Sequence, residues 1–178
     1  MKLNDQIQSI PQEEFNILKK FVKRSNEVQG IKSKDLIYFT YGFVKIDLPN
    51  LLETADFEEI FIYLVPGIKT NNLNIQKAMP FIFWVYDSLK NVITIEKEYL
   101  SSTPKLDLMS AGIERLNELG ELNTLDAVAS RFNYKMEEIK EKPYHEVFDL
   151  QRKMKLEADI QEDLARIQKD RSKQKKLH

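Results

Sequence analysis

The chain contains no cysteine in its 178 residues. That absence excludes disulfides, thiol catalysis and thiolate metal sites together. Histidine is nearly missing as well: His145 and His178 are the only two, too few for a histidine metal cluster or a catalytic triad. Glycine is scarce, with five in all and no two within seven residues of each other, so no glycine-rich loop is available to cradle a phosphate. The longest apolar run, "AMPFIFWVY" at residues 78–86, is about half the length that spans a bilayer. The first residues, MKLNDQIQSIPQEEF, lack both an apolar signal core and a small-residue cleavage site. The expectation is a soluble protein with no membrane partner. Charge of one sign is also lacking: 27 basic residues stand against 28 acidic ones, a net charge of −1. That argues against a surface that traps nucleic acid as a whole.

What is present is helical period and aromatic mass. Hydrophobic residues make up 42% of the chain, enough for a core, and their spacing predicts a mostly α fold. Ser9, Pro11 and Glu13 open a first helix carrying Phe15, Leu18, Phe21 and Val22, with Lys19, Lys20, Lys23 and Arg24 on its other face. Residues 35–46, "DLIYFTYGFVKI", have strand-like composition but nearly continuous apolarity, and are read as a buried helix. Asp56 caps "FEEIFIYLV", which stops at Pro66-Gly67. Asn72 or Asn74 starts a long helix to about Leu100, striped by Met79, Ile82, Phe83, Tyr86, Leu89 and Ile93, with Pro80 early in it. Eleven of the eighteen aromatics lie between residues 31 and 90, which places the core there and reads as packing.

"SSTP" at 101–104 breaks the chain. Short helices are predicted after it at 106–119, ended by Gly120, at 124–132, capped by Asn123 or Thr124, and at 135–141. After Pro143 the sequence has neither glycine nor proline, so a long charged helix is expected, about 50 Å at 1.5 Å per residue. Three units follow: a helical aromatic-rich body at 1–101, a compact short-helix corner at 102–142, and a long amphipathic helix with a basic end at 143–178.

That last helix carries two apolar sets. Val147, Leu150 and Met154 suit packing on the body, while Phe148, Leu156, Ile160, Leu164 and Ile167 form a second seam suited to another chain. Asp149 with Lys153 and Glu162 with Arg166 are spaced for intrahelical pairs. Lys169, Arg171, Lys173, Lys175 and Lys176 concentrate positive charge at the end, against Asp170 alone. This end is expected to meet a neighbouring chain or nucleic acid.

No chemistry accompanies this architecture. The paired acids Glu13-Glu14, Glu58-Glu59, Glu137-Glu138 and Glu162-Asp163 are adjacent on helices, where neighbours diverge by about 100° and do not converge on a substrate. Glu141 and His145 straddle Pro143 and read as a solvated pair. No cofactor or metal is expected, and an enzyme is the least favoured class. "AGIERLNELGELNTLDAVASRFN" at 111–133 does have the makings of a helix-turn-helix: Val128, Ala129, Phe132 and Ile139 to lock two helices, and Asn133 for the turn. Its second helix exposes Glu137, Glu138 and Glu141 where phosphates would lie, and Lys142 stands where a further locking apolar residue is expected. The pattern reads as geometry, and DNA binding stays an alternative.

The order "LSSTPKLDLMSAGIERLNELGELNTLDAVA", then "KPYHEVFDLQRKMKLEADIQEDL", resembles small helical morphogenesis proteins of tailed bacteriophages, especially those of Bacteroidetes hosts. The resemblance covers residues 100–164. Its marks are Ala111-Gly112-Ile113, the cap at Asn123 to Asp126, and the Pro143-Tyr144 entry to the long helix. It implies a non-enzymatic subunit of the head-tail connector, neck or tail, or else a tail assembly chaperone holding the tape-measure protein soluble. On the first reading the partners are other particle proteins and further copies in a ring, and the protein resides in the virion after assembly in the host cytoplasm. It transfers no functional residue.

Overall fold

The computed structural model describes residues 3–102 and 109–175, apart from the side chains of residues 72 and 173–175. The chain is mostly helical. Helices α1 (Leu3–Gln8) and α2 (Gln12–Phe21) precede a hairpin of β1 (Glu27–Val28) and β2 (Ile31–Lys32). Helices α3 (Leu48–Glu53), α4 (Phe57–Leu64) and α5 (Ile75–Leu100) complete the aromatic-rich part. They are followed by α6 (Glu121–Phe132), α7 (Met136–Glu141) and α8 (Tyr144–Lys175).

Helix starts follow local chemistry. The Asp56 side chain accepts the Glu59 N–H at 3.4 Å, and Asn74 accepts the Lys77 N–H at 3.0 Å, each satisfying a donor that the first turn leaves orphaned. Helix α5 runs straight through Pro80, whose carbonyl accepts the Ser25 N–H at 3.2 Å. Phe81, Ile82, Phe83 and Val85 are all buried, so α5 is enclosed on several sides rather than along one stripe. Val92 takes the buried place expected for Ile93, which is exposed. Phe61 stacks on Phe81 at 4.9 Å, and Phe15 meets Phe83 edge-on at 5.2 Å, pairs worth about 0.5–1.5 kcal/mol each beyond burial. One buried cluster extends from Leu3 through the α5 aromatics to Leu125, Ile139, Tyr144 and Val147.

Several expectations need correction. The first helix is preceded by α1, and Pro11 at its start makes no side-chain cap. The residues after α2 turn back as a hairpin, with Gln29 and Gly30 both at positive φ, the backbone that a two-residue hairpin turn demands. Helix α6 begins at Glu121, ahead of Asn123 and Thr124, because Gly120 at φ 49 and ψ −129 can redirect the chain there. The helix expected at 106–119 appears as a 3-10 segment, Ile113–Leu119, while residues 106–108 and the Thr103-Pro104 end of the break lie outside the described residues.

Residues 35–46 turn out to be half of each reading. Leu36–Tyr38 form a 3-10 turn, Phe39 is extended, and helical backbone begins only near Gly42, where a π-type turn, Phe43–Asp47, leads into α3. The extended part is used: Thr40 pairs with Pro143 as an isolated antiparallel bridge. Tyr41 N–H donates to the Lys142 carbonyl, and Tyr144 N–H to the Phe39 carbonyl, both at 2.8 Å. The strand-like residues thus grip the chain where it enters α8.

Candidate interaction surface

Helix α8 leaves this grip already oriented. Tyr144 stacks nearly parallel to Tyr41 at 6.1 Å between ring centroids, and His145 Nδ1 lies 3.0 Å from the Ile37 carbonyl oxygen. His145 is therefore tied to the body and not part of a solvated pair with Glu141. One turn on, Phe148 packs on Tyr144 and meets Tyr99 of α5 edge-on at 6.4 Å.

Beneath this joint lies a group of polar side chains that the sequence pattern did not reveal. Lys45 Nζ sits 2.6 Å from Glu96 Oε2 and 3.1 Å from Glu121 Oε1. The other oxygen of Glu96 accepts from Tyr144 Oη at 3.0 Å, and the other oxygen of Glu121 accepts from Tyr41 Oη at 2.6 Å. Gln151 Nε2 donates to Tyr41 Oη at 3.3 Å. All four carboxylate oxygens are engaged, and the bonds join the body, α6 and α8 in one piece. Burial disfavours the Lys45 ammonium, but the two glutamates outweigh it and hold the amine above its ordinary range. Burial, reinforced by Glu121 and Glu96, pushes the hydroxyls of Tyr41 and Tyr144 far up. A signal did exist: Lys45 is the one charged residue between Asp35 and Asp47, and an ammonium inside an apolar run calls for a buried counter-charge.

Of the residues expected to lock the corner, Phe132 is half-buried. Val128, Ala129 and Ile139 are buried, and Asn133 takes the left-handed conformation at φ 57 between α6 and α7. The Glu138 carboxylate turns back to accept the Lys135 N–H at 2.8 Å, which leaves Glu137 and Glu141 on the exposed face. Gly42 lies against α7, where a Cβ would stand 3.2 Å from Lys140 Cβ and 3.3 Å from its carbonyl oxygen.

Past Met154 the helix leaves the body. Leu156, Ile160, Leu164 and Ile167 are 45–57% exposed and form one stripe at steps of four, four and three. At 100° per residue, this stripe points about 165° away from the side holding Tyr144, Val147, Phe148, Leu150, Gln151 and Met154. Phe148 does not share the stripe: it packs on the body, turned about 80° from Leu156. The stripe is flanked by ion pairs, Lys155 with Asp159 at 2.5 Å and Arg166 with Asp163 at 2.8 Å. Arg131 of α6 reaches Glu157 at 2.7 Å, and that bond holds the Glu157 carboxyl below its usual range.

The basic end simply continues α8. Lys169 and Arg171 are exposed; Lys173 and Lys175 lie on the helix, and Lys176 is outside the described residues. Among the described residues, no group of three or more His, Asp or Glu is placed to hold a metal, and no helix is long and apolar enough to cross a membrane. Comparison with known protein families, curated proteins and solved structures finds no significant match for this chain.

Proposed function

We propose that the protein is a non-enzymatic assembly subunit that presents the stripe Leu156, Ile160, Leu164 and Ile167 to another chain. The observation that carries this reading is a row of four large apolar side chains, 45–57% exposed, on the projecting part of α8, on the face turned away from the one that anchors the helix to the body. A contiguous exposed apolar patch rimmed by charge marks a protein contact surface. The half-buried polar network beneath the joint supports the same reading. Each of its four carboxylate oxygens accepts from an internal donor, so its role is to set the angle of α8, as a docking arm requires.

Taken with the resemblance to phage morphogenesis proteins, the specific proposal is a particle component of a tailed phage, in a connector or tail ring, resident in the virion. Rings arise when one copy's surface meets a different surface on the next. The acidic exposed face of α7 and the net charge of −1 favour protein over DNA as the partner. Quantitative mass spectrometry of purified particles tests the assignment. A ring subunit is present at fixed stoichiometry with the other structural proteins. Absence from the particle, with recovery of the tape-measure protein in its complexes during assembly, would instead establish the chaperone role.

A further inference from the structure

The arm is one half of a contact, and the same molecule carries a face suited to be the other half. Helix α2 buries none of its residues fully. Ile17 and Leu18 are exposed, and Phe21, at 81%, is the most exposed large apolar side chain in the described structure. Residues 17–24 hold four bases, Lys19, Lys20, Lys23 and Arg24, and no acid. Lys19 lies over the Tyr86 ring and Arg24 binds Asp87, which leaves Lys20 and Lys23 at the surface beside Phe21. Residues 155–167 of the arm hold four acids and two bases. Apolar stripe would meet apolar stripe, and the net charges of the two segments are opposite, −2 over residues 155–167 and +4 over residues 17–24.

The two faces stand at opposite ends of the molecule. Helix α2 packs on α5 at Phe83 and Tyr86, whereas α8 meets α5 at Glu96 and Tyr99. The contacts rise together along α5 and α8, from Tyr144 with Glu96 to Arg152 over Tyr99, so α8 runs onward in the direction of α5, away from α2. Ten or more residues of α5 and twelve from Phe148 to Ile160 put the stripe roughly 35 Å from α2 of the same chain. A chain's own arm does not reach its own α2, so a partner for that face comes from outside the chain.

We infer that the arm of one copy docks antiparallel on α2 of the next, with Ile160 beside Phe21 and Leu164 beside Ile17. This deepens, and rests on, the reading of the arm as a docking surface. The antiparallel sense sets the acidic part of the arm against Lys20 and Lys23. It also carries Lys169 and Arg171 toward Glu13 and Glu14 at the start of α2. Because the two surfaces differ, the contact is heterologous and repeats from copy to copy.

The natural absence of cysteine makes the test direct. Full-length Phe21→Cys and Ile160→Cys proteins, one carrying a mass tag, are mixed, oxidised and resolved without reductant. The expected result is a mixed disulfide dimer, with little product from either protein alone. Lys20→Glu with Lys23→Glu in the Phe21→Cys chain should cut its yield several-fold, and Asp159→Lys with Asp163→Lys in the Ile160→Cys chain should restore it. Homodimers of Ile160→Cys without mixed product would overturn docking on α2 while leaving the arm an interface. No crosslink in any mixture, from proteins that are monomeric by native mass, would overturn both.

Discussion

Phe148 and Leu156 lie eight residues apart on one helix, yet Phe148 packs against Tyr99 of the body while Leu156 is 53% exposed on the far side. The change of face between them divides the anchored part of α8 from its arm. It also gives the two side chains different energetic roles.

Truncation should separate those roles. Phe148→Ala removes a packed aromatic and is expected to cost about 3 kcal/mol of fold stability, and Phe83→Ala, deeper in the core, about 3–5 kcal/mol. Leu156→Ala should leave the monomer within about 0.5 kcal/mol of the parent. Urea unfolding followed by far-UV circular dichroism checks all three, and equal losses from Phe148→Ala and Leu156→Ala would contradict the division.

Alkaline pH should loosen the joint. The unfolded chain releases the Tyr41 and Tyr144 protons near 10.0 and the Lys45 proton near 10.5, whereas the folded chain holds all three to higher pH. The folded state then binds more protons than the unfolded one, so stability is fully present below about pH 10 and is lost as pH rises further. Thermal melts should give a Tm that is flat from about pH 7 to 9 and falls above about pH 10. Tyr41→Phe with Tyr144→Phe should flatten the decline at the expense of about 1–3 kcal/mol per lost donor at neutral pH. A double variant as stable as the parent, with an unchanged alkaline slope, would mean that the network does not hold the arm.

Gly42 should tolerate one methyl and no more. At φ −56 and ψ −47 its backbone is already helical, so Ala gains helix propensity of about 1 kcal/mol, which offsets a tight approach to Lys140. Gly42→Leu has no room against the backbone of α7 and should destabilise by about 1–3 kcal/mol. Chemical denaturation of the pair reads this directly, and a neutral Gly42→Leu would show that α7 does not pack there.

Local signals with a single strong cause were legible in the sequence. Asp56 and Asn74 had short polar side chains ahead of apolar runs, Pro143 marked the start of α8, and Asn133 provided a turn that most residues resist. What escaped was set by partners distant in the chain. Phe39 and Thr40 stay out of the helix because residues 142–144 lie beside them, and no local pattern encodes that pairing. The Lys45, Glu96 and Glu121 cluster joins residues up to 76 apart. By spacing alone Phe148 falls with the exposed stripe, two steps of four from Leu156, but each such step drifts by about 40°. The same drift runs on through Leu164, so Phe148 falls about 115° short of the stripe's mean direction.

The most direct test of the account is the native mass of the purified chain and of its Ile160→Asp, Leu164→Asp variant. The account predicts that the parent forms a defined oligomer, and that the variant is a monomer with an unchanged Tm, because carboxylates on that stripe meet water in the monomer and an apolar surface only in the assembly. An oligomer that survives the double substitution, or a variant that unfolds as a monomer, would contradict it.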